Sequence, residues 1–98
     1  TQEQMAAELI RQQLMLQLHE ELPYTTTVAI ERIEIKDQIT HIHACILTPS
    51  PQHKGIIIGK GGEKLKQIGS QARVKLTSLF DSAIYLKLWV KVNNKPNA

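Results

Sequence analysis

The sequence predicts an α+β domain with elements in the order helix, strand, strand, short helix, long helix, strand. Three observations lead to this class. Apolar residues recur at helical spacing in two long segments, and three other segments alternate between apolar and polar residues. A glycine-dense stretch, Gly59-Lys60-Gly61-Gly62, separates the two helices of the second half. At 98 residues the chain is long enough for one modest core and too short for two.

Two segments have the spacing of amphipathic helices. The first helix is predicted over residues 3–21, where apolar residues recur at four-residue spacing and Pro23 follows. The second covers residues 65–80 and is the clearest helix of the chain. Its apolar stripe includes two small residues, Gly69 and Ala72, which indicate close packing against the sheet or the preceding helix. Both stripes are typical of faces packed on a core.

Three strands are predicted from β-branched residues and period-two alternation. The first opens at residues 25–30 and then changes the phase of its apolar residues, which indicates a β-bulge or a change of the covered face. A turn at residues 36–38 leads into the second strand, residues 39–48, which ends before Pro49. The last strand alternates over residues 84–92.

These elements divide the single predicted domain, residues 1–98, into five segments. Residues 1–24 are the N-terminal helix and linker, 25–53 the β-hairpin, 54–80 the helix, glycine loop and helix, 81–93 the last strand, and 94–98 a tail.

Charge is distributed unevenly along the chain, although its net value is only +3. Residues 1–37 carry seven acidic against three basic side chains, whereas residues 38–98 carry nine basic against two acidic ones. A basic half on a nearly neutral domain indicates a local site for a polyanion. The alternative is that the lysines merely solvate helix faces.

Residue spacing disfavours several kinds of site. His41, His43 and Cys45 share one face of the second strand, but no fourth zinc ligand stands at a recognisable spacing, so we expect no metal and no cofactor. No Ser-His-Asp or Cys-His grouping can be assembled for nucleophilic catalysis. A single cysteine leaves no internal disulfide, and no apolar run approaches membrane-spanning length.

The segment from Lys54 to Gly69 carries the strongest functional signal. Its glycines allow a sharp turn and close approach by another backbone, and they precede a helix N-terminus, where N–H groups and the helix dipole favour phosphate. A Walker loop is excluded by the glycine spacing and by Gly61, which stands where a hydroxyl is required. The dinucleotide fingerprint is excluded by Lys64 at its third glycine position. A structural corner without a ligand remains the alternative.

The outer face of the last strand mixes aromatic and basic residues, namely Tyr85, Lys87, Trp89 and Lys91. Such a face can stack bases, as in RRM domains, but no RNP-type segment accompanies it. Packing of Trp89 against a neighbouring element or another domain is the favoured interpretation.

A Gly-x-x-Gly loop between two helices, within this element order, resembles the type II KH domain, which grips four nucleotides of single-stranded nucleic acid. The resemblance implies a three-stranded mixed sheet with the helices packed on one face. More specifically, five segments are similar to the C-terminal KH domain of the Era-type GTPases. They are Glu20-Glu-Leu-Pro-Tyr24, Ile42-His-Ala44, Lys54-Gly-Ile-Ile-Ile-Gly-Lys-Gly-Gly62, Lys66-Gln-Ile-Gly-Ser-Gln-Ala-Arg73 and Leu86-Lys-Leu-Trp-Val-Lys-Val92.

The resemblance implies a function, partners and a location. That family joins an N-terminal GTPase domain to this KH domain, which binds the 3′ end of small-subunit ribosomal RNA during assembly of the small ribosomal subunit. No GTPase motif occurs in these residues, so we expect RNA binding and no enzymatic activity from them alone. The implied location is the bacterial cytoplasm or an organellar matrix or stroma, with peripheral membrane association open to the parent protein. A KH fold used mainly for protein interaction or regulation is the alternative.

The predicted RNA contacts surround the glycine loop. The glycines would let the RNA backbone approach, while Lys60 and helix N–H groups meet phosphates. The isoleucines of the short helix, with part of the hairpin, would line an apolar groove for three or four unstacked bases, although at least one belongs to the core and the sequence does not say which. The candidate RNA-binding residues are Lys54, Ile56, Ile57, Ile58, Gly59, Lys60, Gly61, Gly62, Lys64 and Lys66.

Overall fold

The structure is a computed structural model that describes residues 1–18, 21 and 24–93. The predicted stop at Pro23 and the predicted tail at residues 94–98 lie outside these described residues. The elements follow the predicted α-β-β-α-α-β order. They are α1 (Gln2–Leu18), β1 (Thr27–Lys36), β2 (Ile39–Thr48), α2 (Pro51–Ile58), a 3₁₀ turn (Lys60–Gly62), α3 (Glu63–Phe80) and β3 (Ala83–Val92).

The three strands form one mixed sheet in the order β1-β2-β3, as predicted. The β1 and β2 strands pair antiparallel, and β2 and β3 pair parallel. Asp37 and Gln38 connect β1 to β2 with φ values of 54° and 66°, the left-handed conformation of a two-residue hairpin turn. The parallel pairing of β3 requires a crossover, which α2 and α3 supply.

The change of apolar phase in β1 is a β-bulge. The pairing register of β1 with β2 shifts between Ile30 and Arg32, so that Glu31 is the extra residue. As a result, Val28 and Ile30 before the bulge and Ile33 after it all pack against the same core.

The core lies on one face of the sheet, where all three helices pack. Its centre is β2, in which Ile42, Ala44 and Ile46 are fully buried. The first of two clusters comprises Ala6, Ile10, Ile42, Ala44, Ala72, Leu76 and Ile84, and the second comprises Leu14, Leu18, Ile46, Ile57, Ile68 and Val90. The helices therefore form a single layer, and no helix of the described residues covers the opposite face of the sheet.

Helix boundaries differ from the prediction by a few residues, for reasons of local chemistry. The α2 helix begins at Pro51, within the segment assigned to the hairpin, because Ser50 caps it by accepting a hydrogen bond from the His53 backbone N–H at 3.2 Å. The α1 helix is described from Gln2 to Leu18, and its predicted end near residue 21 adjoins residues 19, 20, 22 and 23, which lie outside the described part of the chain. No helix in the described residues combines the length and apolar character needed to cross a membrane.

Candidate nucleic-acid interface

The glycine loop forms a sharp corner between α2 and α3. Gly59 has φ 76° and ψ 176°, a combination that only glycine adopts readily. A Cβ atom at this position would lie 2.6 Å from the Cβ of Lys64, which is too close for any side chain. Position 59 therefore requires glycine for two independent reasons, conformation and space.

The tip of the loop is open to solvent. Gly61 and Gly62 also have positive φ values, 61° and 78°, but a Cβ at either would meet nothing within 4 Å. The Gly59 amide donates to the Gly55 carbonyl at 2.9 Å and the Gly62 amide to the Gly59 carbonyl at 3.2 Å. Outside the helices and strands of the described residues, no backbone carbonyl accepts a hydrogen bond from the amide of Lys60 or Gly61. These two exposed residues therefore present N–H groups at the entrance to α3, where an anion is favoured.

The three isoleucines of α2 divide between core and surface. Ile57 is 1% exposed and packs in the second core cluster, so its side chain has no surface to offer a ligand. Ile56 and Ile58 are half-buried and pack against the same cluster from its border. The isoleucine that belongs wholly to the core, which the sequence could not identify, is thus the middle one.

A cleft of about 390 Å³ opens beside the loop, between α3 and β3. Of the predicted contacts, only Gly62 and Lys66 line it. The remaining lining residues had not been singled out as contacts: Leu65, Gly69, Ser70 and Arg73 from α3, and Leu86 and Leu88 from β3. They were missed because the sequence does not reveal that α3 and β3 run side by side, although the two elements are adjacent in the chain.

Gly69 lines the cleft, and its missing side chain leaves free space there. A Cβ at this position would meet nothing within 4 Å, so the glycine does not serve the close packing predicted for it. Ala72, the other small residue of the stripe, is fully buried in the core. The small residues of α3 thus have different roles, one in packing and one in keeping the cleft open.

The chemistry of the cleft suits a polyanion that carries flat apolar groups. Lys66 and Arg73 supply positive charge, and no carboxylate lies among the lining residues. Leu65, Leu86 and Leu88 supply an apolar wall. Lys60 and Lys66 are exposed. Lys64 is half-buried in the first turn of α3, and Lys54 is half-buried within α2. Phosphates can therefore meet cations and loop amides while unstacked bases contact the leucines.

The predicted histidine and cysteine face is on the opposite side of the sheet. Cys45 is buried, at 3% exposure, and its thiol donates to the Ile46 carbonyl at 3.8 Å. Burial raises the pKa of the Cys45 thiol, the charge of Glu31 raises it further, and Lys91 partly offsets both. Among the described residues, no group of three His, Cys, Asp or Glu side chains is placed to hold a metal ion.

We predict that Cys45 is an unreactive thiol and that it holds no zinc. A raised pKa leaves less thiolate, the reactive form, so the folded protein should react slowly with a thiol reagent at neutral pH and quickly once denatured. Elemental analysis of protein purified without chelators should find much less than one zinc per chain. One tightly held zinc, or equal thiol reactivity in the folded and denatured states, would contradict this prediction.

Comparisons with known proteins agree with this geometry. The family model described as KH domain matches residues 10–97. GTPase Era of Nitrosomonas eutropha is 46% identical over 90 residues, which are 92% of this chain and 30% of that protein. GTPase Era of Azotobacter vinelandii is 51% identical over 88 residues, or 90% of this chain and 29% of that protein. The chain thus spans less than a third of the length of these curated relatives.

Two solved structures have the same fold. Aquifex aeolicus Era bound to GDP and aluminium fluoride matches with a TM-score of 0.89 and 36% identity, over 95% of this chain and 32% of that one. Era in complex with MgGDPNP and nucleotides 1506–1542 of 16S ribosomal RNA matches with the same score, identity and coverage. The type II KH fold and the resemblance to Era-type GTPases are thereby confirmed. The family model covers most of the chain and these relatives align along nearly all of it, so the chain belongs to the KH domain family.

Proposed function

We propose that this chain binds single-stranded RNA in the cleft between α3 and β3, with the glycine loop holding the phosphate backbone. The observation that carries the proposal is the cleft itself, which joins an apolar wall to two cations, lacks a carboxylate and lies beside the loop. Its position next to exposed loop amides at the start of α3 gives the RNA backbone a place to enter.

Each part of the site has a role in this proposal. The amides of Lys60 and Gly61 and the Lys60 side chain meet phosphates, while Gly59 and Gly62 shape the turn that lets the backbone approach. Lys66 lies at the cleft, with Lys54 and Lys64 adding positive charge around it. Leu65, Leu86 and Leu88 contact base faces, with Ile56 and Ile58 at the border of the site. Arg73 marks the end of the cleft away from the loop, and Ile57 acts only through the core.

The proposed target is the 3′ end of small-subunit ribosomal RNA, reached during assembly of the small ribosomal subunit. Support comes from the Era structure that contains nucleotides 1506–1542 of 16S ribosomal RNA. The relatives are named GTPases and are about three times as long as this chain, so we assign nucleotide hydrolysis to a GTPase domain N-terminal to these residues in the parent protein. Because those relatives are bacterial, we propose the bacterial cytoplasm as the location.

Use of the fold for protein interaction is the second candidate. One observation favours it: α1 exposes Met5, Met15 and Leu16, with 52%, 44% and 64% of their surface accessible. None of these residues lines the cleft, so a protein contact at α1 would leave RNA binding possible.

The first test replaces Lys60 and Gly61 together by aspartate. Two carboxylates at the loop tip would repel phosphate at close range, and we expect the affinity for single-stranded RNA to fall by about 100-fold or more. The fold should survive, because a Cβ at Gly61 meets nothing and aspartate already adopts left-handed φ values at Asp37 and Asp81. The expected loss of stability is about 1 kcal/mol. Fluorescence anisotropy titration and thermal melting by circular dichroism measure the two effects.

A core variant serves as the control for that experiment. Ile68→Asp places a carboxylate at a fully buried position and should unfold the chain, so that loss of binding and loss of structure coincide. A loop variant that melts cooperatively yet binds RNA like the parent would refute the assignment of the loop.

The second test fills the cleft from within by replacing Gly69 with leucine. The new side chain enters free space, so we expect RNA affinity to fall by about tenfold or more. Stability should rise by about 0.5–1 kcal/mol, because leucine has a higher helix propensity than glycine. Binding and melting are measured as before.

Gly69→Ala is the matched control, since it gives the same gain in helix propensity with a much smaller side chain. It should melt like Gly69→Leu and bind RNA nearly as well as the parent. Unchanged RNA affinity in the leucine variant would show that the RNA lies elsewhere.

A further inference from the structure

The face of the sheet opposite the helices carries an aromatic and basic surface along β3. The alternation of β3 places Leu86 and Leu88 toward the helices and the intervening residues on the other side. We call this second set, with the two histidines paired to it across β2, the open-face strip: His41, His43, Tyr85, Lys87, Trp89 and Lys91. No helix of the described residues covers the strip.

The aromatic rings of the strip lie close to one another in the structure. The His41 and Tyr85 rings have their centroids 5.2 Å apart with a 44° angle between planes, and the His43 ring lies 6.5 Å from Tyr85. The Lys87 Nζ atom lies 5.9 Å from the centroid of the Trp89 ring. Tyr85 nevertheless remains 51% exposed. An exposed ring held by neighbouring rings is a ready surface for stacking a base.

Charge on the strip favours a polyanion as its occupant. Lys87 and Lys91 are exposed, and β3 contains no acidic residue. On the neighbouring strand β1, Glu34 lies opposite His41 and pairs with Arg32 at 3.7 Å, and Glu31 occupies the bulge of the same strand. A purely apolar protein surface would have to cover both lysines without a counter-charge, whereas RNA brings phosphates and bases together.

The strip and the cleft lie on opposite faces of β3, which is an edge strand of the sheet. In the described residues β3 pairs only with β2, so its outer edge is free. Leu86 and Leu88 line the cleft, and Tyr85, Lys87 and Trp89 alternate with them on the open face. A single strand that leaves the cleft therefore needs only to pass over the edge of β3 to reach the strip.

We propose that the RNA bound in the cleft continues over the edge of β3 onto the open-face strip. There one base stacks on Tyr85 beside His41, and Lys87 and Lys91 contact phosphates. This inference rests on the proposed function, since it extends the same bound strand.

The test compares short and long RNA windows taken from nucleotides 1506–1542 of 16S ribosomal RNA. The four-nucleotide window that binds most tightly fills the cleft alone, and a window of about twelve nucleotides centred on it can reach the strip from either end. Trp89 is the only tryptophan of the chain, so its fluorescence reports on the strip directly. We expect the long window to bind about tenfold more tightly than the short one and to quench Trp89 more strongly.

Single variants then separate the two surfaces. Tyr85→Ala and Lys87→Ala should each weaken binding of the long window, by about tenfold and by a few-fold respectively, and leave the short window unaffected. Lys75→Ala, an exposed lysine of α3 that lines neither the cleft nor the strip, is the control and should change neither affinity. Both changes on β3 are at exposed positions, and circular dichroism verifies that the variants fold.

The outcomes distinguish failure of this inference from failure of the proposed function. Equal affinity for the two windows, or a Tyr85→Ala variant that binds the long window like the parent, overturns the inference and leaves the cleft as the RNA site. In that case the strip is free for another occupant, such as a protein domain. If no window binds the unchanged chain, the proposed function and the inference both fall.

Discussion

The conformation of Gly59 is the constraint on which the arrangement of the site depends. With φ 76°, ψ 176° and the Cβ of Lys64 directly against it, this residue ends α2 and allows α3 to start almost at once in a new direction. The turn leaves Lys60 and Gly61 exposed at its tip. One glycine thus fixes both the path of the chain and the exposure of the loop amides.

The α3 helix links this corner to the rest of the fold because its faces differ in role. Ile68 and Ala72 are fully buried and hold the helix on the sheet. On the adjoining face, Gly69 and Arg73 border the cleft, whose far wall is β3. The packing that stabilises the domain therefore also sets the separation of the cleft walls, so the site is preformed by the core and needs no separate scaffold.

Local signals were enough to predict the element order and much of the site. The bounds of β2, residues 39–48, were predicted correctly because alternation and Pro49 define them, and the loop glycines marked the corner. The cleft walls could not be predicted, because Leu88 meets α3 only through the parallel pairing of β3 with β2. For the same reason Gly69 was interpreted as a packing residue. The burial of Ile57 depends on the direction in which α2 lies on the core, which three successive isoleucines do not encode.

The central claim is that the cleft admits a single strand. The most direct test is a titration of the chain with an unstructured RNA and with a hairpin stem of the same composition, each at several salt concentrations. The single strand should bind at least about tenfold more tightly, because paired bases cannot enter the cleft beside the loop. Its affinity should fall only gradually with salt, since few phosphates are neutralised. Equal affinity for the stem and the unstructured RNA would contradict the account.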